Sequence, residues 1–384
     1  MEFNHNIRGK IADYGTMIFT EVSRLFNEYR ALDLARGFPN FEMNHELVRL
    51  LKKHIDEDRN YYLSSNGHKG LRRNIVQIFK DQYGCVYDPS SEITITAGAS
   101  QAIYTILSTM VRDNDEVIVF EPSYDLFAPT VEINHGKPVY AELEQPDFHI
   151  DWTKVQRLIT PKTRFIIINN PHNPTGRILK AHDLDELQRI VNGTDIMILA
   201  DESLQFLVYD DYEHHSIAKN KELVKRSFIV GGFGKTFQIT GWRVGYCLAP
   251  EVLMHEFRKL HQYIAFNVNT PAQFALDEYL SNGVDFAANA RKFAEKRDFL
   301  ANKLKETPFE PIPVKSGIFQ SVKFENPENL SDKDMVLKLI KEHGVAGIPL
   351  SAYSHDQTNY GILRFCFARP QETVERAIER LKQV

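Results

Sequence analysis

The feature that most limits what this chain can fold into is a regular alternation of short β-branched runs with helical stretches across its middle. Runs at residues 93–96, 117–120, 139–143, 165–169, 196–200 and 228–231 are strand-sized, and most break into Gly, Ser, Pro or Asn before apolar residues resume at helical spacing. Strands that alternate with helices in this way build βαβ units and hence a mostly parallel sheet with helices on its faces. In such a sheet a ligand sits outside the carboxyl ends of the strands. Ser100, Tyr124, Asn173, Asp201 and Lys235 each follow one of these ends, so five chemically different side chains are expected to converge on one place. Upstream, the spacing predicts helices over 44–55 and 71–83, the second stopped by Gly84.

The most informative stretch is 228–245. A β-branched run opens into Gly231-Gly232-Phe233-Gly234, Lys235 follows, and Arg243 comes eight residues later within Thr240-Gly241-Trp242-Arg243-Val244-Gly245. A lysine held among glycines at the end of a buried strand is desolvated, which favours the neutral, nucleophilic amine that forms imines with carbonyls. Arginine offers a planar fork of donors suited to phosphate. Pyridoxal 5'-phosphate, an aldehyde with a phosphate tail, needs both. The small-residue turn Gly98-Ala99-Ser100-Gln101 opens a helix at 102–110 and presents backbone amides and a positive dipole end to an anion. Read singly, each feature also has an ordinary structural reading: a solvated lysine, a surface arginine, a common strand-turn-helix. Their shared placement separates the two.

Composition closes off other classes. Of 384 residues, 46 are Lys or Arg and 51 Asp or Glu, for a net charge of -5, which gives no electrostatic support to nucleic acid or a membrane surface as partner. Three cysteines, Cys85, Cys247 and Cys366, lack metal-ligand spacing and form no even set, so reduced thiols in a cytoplasmic protein are expected, and no metal site. His214 and His215 have no further ligand at metal spacing and are expected in a solvated loop. The first ten residues are polar, without a signal-peptide core, and the longest apolar runs are strand-sized.

From about residue 14 to 368 the sequence resembles the pyridoxal-phosphate aminotransferases of fold type I, class I and II. The resemblance is carried by residues 170–176 (Asn-Pro-His-Asn-Pro-Thr-Gly), 233–245 and 363–368. Gly15-Thr16-Met17-Ile18-Phe19-Thr20, Gly37-Phe38-Pro39, His261-Gln262-Tyr263 and Asn269-Thr270-Pro271-Ala272-Gln273 liken it to the methionine, kynurenine and glutamine branch. The resemblance implies a large domain over 41–280 with a mostly parallel seven-stranded sheet between helices. A smaller discontinuous α+β domain takes residues 1–40 and 281–384, with Asn282-Gly283 at the boundary. It implies that Lys235 holds the cofactor and shuttles a proton, that Asp201 pairs with the ring nitrogen, that Asn173 donates to the phenolic oxygen and that Tyr124 stacks on the ring. Ala99, Ser100, Gln101 and Arg243 are implied to bind the phosphate, joined by Tyr62 of a neighbouring subunit in a homodimer. Arg364, Asn173 and the Gly37 backbone are implied to hold the substrate carboxylate.

Two positions depart from the family pattern. Asp201-Glu202-Ser203-Leu204 puts leucine where a tyrosine is usual, and Gly232 replaces a phosphate-binding serine. The expected activity is amino transfer from a sulfur-containing or aromatic amino acid, methionine favoured, to a 2-oxo acid by a ping-pong cycle. A carbon–sulfur β-lyase and a cofactor-binding regulatory domain are the alternatives. Since residues 266–270 contain no arginine or lysine, Arg364 is the one carboxylate clamp the sequence names, and acidic amino acids are expected to be poor substrates.

Overall fold

The computed structural model describes residues 10, 18–326 and 328–384; Gly15, Thr16 and Met17 of the branch motif lie outside them. A seven-stranded sheet forms the centre, in the order Ile93–Thr96, Gly245–Leu248, Ser227–Gly232, Met197–Asp201, Thr163–Asn169, Glu116–Glu121, Lys137–Glu142. Gly245–Leu248 runs antiparallel to both neighbours, and the other pairings are parallel. That strand carries no β-branched residue, so it gave no strand signal and is set by its two neighbours.

Period-two geometry explains why continuous apolar runs suit this sheet. Ile166 and Ile168 enter one hydrophobic core while Phe165 and Ile167 enter another on the opposite face. The next strand repeats the division, with Ile198 and Ala200 on one side and Met197 and Leu199 on the other. Helices close both faces, and their ends follow local rules. Asn44 caps His45–Asp56 by accepting from the Glu46 amide at 2.9 Å. Gly84 ends Lys69–Tyr83 in the left-handed region at φ 67°.

The remaining strands join both ends of the chain. Leu32–Asp33 pairs in parallel with Val345–Ala346, and an antiparallel sheet runs Ile348–Pro349, Ile362–Cys366, Phe319–Phe324, Phe309–Pro311. Arg369, fully buried, knits the early segment to this region through the carbonyls of Asp33, Arg36 and Phe38 and the carboxylate of Asp33. Residues 33–38 are thereby fixed over the carboxyl edge of the large sheet.

Candidate active site

Strand ends and turns place Ala99, Ser100, Tyr124, Asn173, Asp201, Lys235 and Arg243 around one cleft of about 450 Å³, with Gly37 across from them. Lys235 follows the strand Ser227–Gly232, and its Nζ donates to the Gly37 carbonyl. Burial pushes this amine down to about 8, helped by the nearby guanidiniums of Arg243, Arg364 and Arg369. The amine is therefore far easier to deprotonate than an ordinary lysine. Asp201 ends the adjacent strand, with Oδ1 accepting from the Ser203 amide at 3.1 Å and from its hydroxyl. Burial pushes its carboxyl up, so a cation in the cleft is what would hold it ionised. Asn169, one strand further, ties these groups together. Its Nδ2 donates to the Asp201 carbonyl at 3.0 Å and its Oδ1 accepts from the Asn173 amide at 2.8 Å.

The anion corner depends on missing side chains. Helix Ala99–Met110 starts at Gly98, which has φ 80° and no side-chain cap, leaving the first amides open toward the cleft. A Cβ on Gly98 would lie 2.5 Å from Arg243 Nη2, and one on Gly245 would lie 2.8 Å from the Gly98 carbonyl carbon. Glycine at both places lets the guanidinium and the helix start share one corner. Tyr124 reaches the same corner through Ser100. The Gln101 side chain turns away, with Oε1 accepting from Ala97 N at 3.0 Å and Nε2 donating to Thr105 Oγ1 at 2.6 Å, and the residue does not line the cleft.

Arg364 is fully buried one layer behind the wall. Its Nη1 donates to Asn173 Oδ1 at 2.9 Å, and its Cζ lies 3.7 Å from the Phe319 ring centroid and 4.8 Å from that of Tyr353. Because guanidinium only donates, Asn173 must turn its carbonyl to Arg364 and its amide nitrogen toward the cleft. Tyr62 is elsewhere: 78% exposed and edge-on to Phe266 at 5.3 Å, it is outside this chain's own cleft.

Leu204 does line the cleft, and the neighbours best placed to stand in for the absent phenol are engaged elsewhere. The Ser203 hydroxyl is held by Asp201, Gln205 by Tyr246 and Tyr83, and the Tyr209 hydroxyl by the Gly317 carbonyl. The solvated-loop expectation for His214 is corrected: it is buried, bonded to the Tyr83 hydroxyl at 2.9 Å and the Asn170 carbonyl at 3.0 Å, and burial pushes its pKa down to about 4. Only His215 is partly open. No group of three metal-ligating side chains occurs among the described residues. Sequence reading gave no role to Asn169, although it sits at a strand's carboxyl end. It also missed Phe319 and Arg36, which come from distant segments without local signal.

A family model for aminotransferase class I and II matches residues 30–381. The chain is 37% identical to the methionine aminotransferase of Escherichia coli K12 over 98% of both chains, and 31% identical to aromatic-amino-acid aminotransferase 2 of Thermococcus litoralis over 95% of both. Its fold superposes with TM-score 0.95 on an Escherichia coli crystal structure identified with a methionine aminotransferase function, at 36% identity over 99% of this chain and 100% of the other. The N-succinyldiaminopimelate aminotransferase of Mycobacterium tuberculosis follows at TM-score 0.93 and 29% identity, over 98% and 99%. All are aminotransferases, which favours amino transfer over the lyase and regulatory readings. The residues also suit the cofactor: a buried, easily deprotonated amine, a buried carboxyl that calls for a cation, and a glycine-made anion corner beside Arg243. The chain belongs to the class I and II aminotransferases and is a pyridoxal-phosphate-dependent enzyme of that family.

Proposed function

We propose that the enzyme takes the amino group of methionine, and of related sulfur-containing or aromatic L-amino acids, and delivers it to a 2-oxo acid. The observation that carries this reading is the apolar wall of the cleft, where Phe38, Ile103, Leu204, Ile318 and Phe319 leave an unbranched or aromatic side chain among hydrocarbon. The likeness to an enzyme named for methionine supports it.

Pyridoxal phosphate supplies the aldehyde and the electron-withdrawing ring that make the substrate's α-hydrogen acidic. The chain supplies the rest. Lys235 would hold the cofactor through Nζ and, once released, would move the proton of the substrate's α-carbon. Asp201 would face the ring nitrogen, Asn173 would donate to the phenolic oxygen, and Tyr124 would cover the ring. Arg243, with the amides of Ala99 and Ser100, takes the phosphate. Arg364, backed by Phe319 and Tyr353, takes the α-carboxylate next to Asn173.

The enzyme acts as a homodimer that shares Tyr62 across the interface. Tyr62 and Phe266, 78% and 52% exposed and in edge-on contact, offer an aromatic surface that a second copy would cover. Free thiols at Cys85, Cys247 and Cys366 suit a cytoplasmic setting. The test is a half-reaction panel of twenty amino acids against the holoenzyme, read by cofactor absorbance. Methionine and the aromatic amino acids should convert it fastest, and faster conversion by alanine or serine would reject the reading.

A further inference from the structure

The cleft carries a second guanidinium with no part in the steps above. Arg36 lines it beside Gly37 and Phe38, on the segment whose Gly37 carbonyl receives Lys235. This side chain is held in place: Nε donates to Asp33 Oδ2 at 2.9 Å, and Cζ lies 4.9 Å from the Phe26 ring centroid and 5.2 Å from that of Phe38. It remains 40% exposed, and among the described residues its terminal nitrogens have no acceptor. The local charge does not cancel. Asp33 serves both Arg36 and Arg369, at 2.9 and 3.1 Å, so two guanidiniums share one carboxylate. Arg369 is fully buried with donors committed to backbone carbonyls, and the unmatched positive charge is presented by Arg36.

A preorganised, partly exposed fork in the cleft behind whose wall Arg364 sits suits an anion at the far end of a substrate. We propose that Arg36 is a specificity residue that receives the distal carboxylate of a 2-oxo diacid, the amino acceptor, while the apolar wall serves the monocarboxylic donor. The proposal rests on the aminotransferase reading and adds the acceptor's chemical class. The donor's amino group passes to the diacid and the donor leaves as its own oxo acid, so no outside oxidant enters. Because transfer runs both ways, the matching amino diacid is a donor too. It opposes the expectation, drawn from residues 266–270 and from Arg364 as the one named clamp, that acidic amino acids are poor substrates, and the glutarate preference decides between the two.

The experiment compares glutarate with pentanoate, ligands of equal length that differ by one carboxylate, as competitors of the holoenzyme. In the unmodified enzyme glutarate should bind at least tenfold tighter, about 1.4 kcal/mol. Arg36→Gln should remove most of that advantage and Arg36→Lys should retain part of it. The ratio of specificity constants for 2-oxoglutarate over phenylpyruvate should fall in the same order. An unmodified enzyme without preference for glutarate overturns the proposal, as does an equal preference in Arg36→Gln. Conversion of the cofactor by methionine is followed in parallel. Its failure would count against the donor reading, whatever the glutarate preference shows.

Discussion

Leu204 is the residue at which this chain parts from its family most sharply, and the structure puts it on the cleft wall with a buried side chain. A phenol there would donate to the cofactor's phenolic oxygen and stabilise its anionic form. Without it the linkage between cofactor and Lys235 holds its proton more tightly, because the phenolate keeps its full attraction for that proton. Leu204→Tyr should therefore lower the midpoint of the spectral titration by about one to two units, each worth about 1.4 kcal/mol. The absorbance of the resting holoenzyme against pH measures it, and an unchanged midpoint removes Leu204 from contact with the ring. Ser203, Gln205 and Tyr209, the neighbours able to replace the donor, are engaged elsewhere, which is why a shift is expected.

At the two ends of the segment between the aspartate strand and the helical turn Ile217–Lys219, Glu202 and His214 form a buried polar pair. Glu202 accepts from the Ile217 amide at 2.9 Å and lies 4.0 Å from His214, both side chains almost wholly enclosed. Burial pushes Glu202 up to about 8 and His214 down to about 4; both stay neutral near pH 7. The signs oppose. Unfolding lets Glu202 ionise from its ordinary 4.5, so its contribution to stability falls as pH rises from 4.5 to about 8. Unfolding lets His214 take a proton below its ordinary 6.5, so stability is lost as pH drops from 6.5 toward 4. Glu202→Gln removes the first effect alone. Its melting temperature relative to the parent should climb between pH 5 and pH 8, with the underlying difference growing by about 1.4 kcal/mol per unit at most. Thermal melts at the two pH values decide it, and a difference flat with pH would mean that Glu202 is ionised in the fold.

At the scale of the whole molecule, the exposed aromatic surface around Tyr62 leads to a test of the shared site. Lys235→Ala and Tyr62→Ala chains, each impaired alone, should regain activity when dissociated and reassociated together, because a hybrid dimer contains one site with both intact residues. No recovery would put Tyr62 to work within its own chain or nowhere. What the sequence by itself determined is what depends on neighbours along the chain. The apolar runs set the strands, Asn44 and Gly84 set helix ends, and the rule that ligands sit at carboxyl edges brought Ser100, Tyr124, Asn173, Asp201 and Lys235 to one cleft. Tertiary structure alone decided the rest. Gly245–Leu248 became a strand because two others flank it, His214 went inside because Tyr83 and Asn170 offer it partners, and the Gln101 side chain turned toward Thr105 and away from the anion corner. Arg36 and Phe319 reached the cleft because Arg369 and the sheet that joins both chain ends fold them over Lys235. Contacts between residues hundreds of positions apart leave no periodicity in either partner, so they arise only when burial forces the segments together.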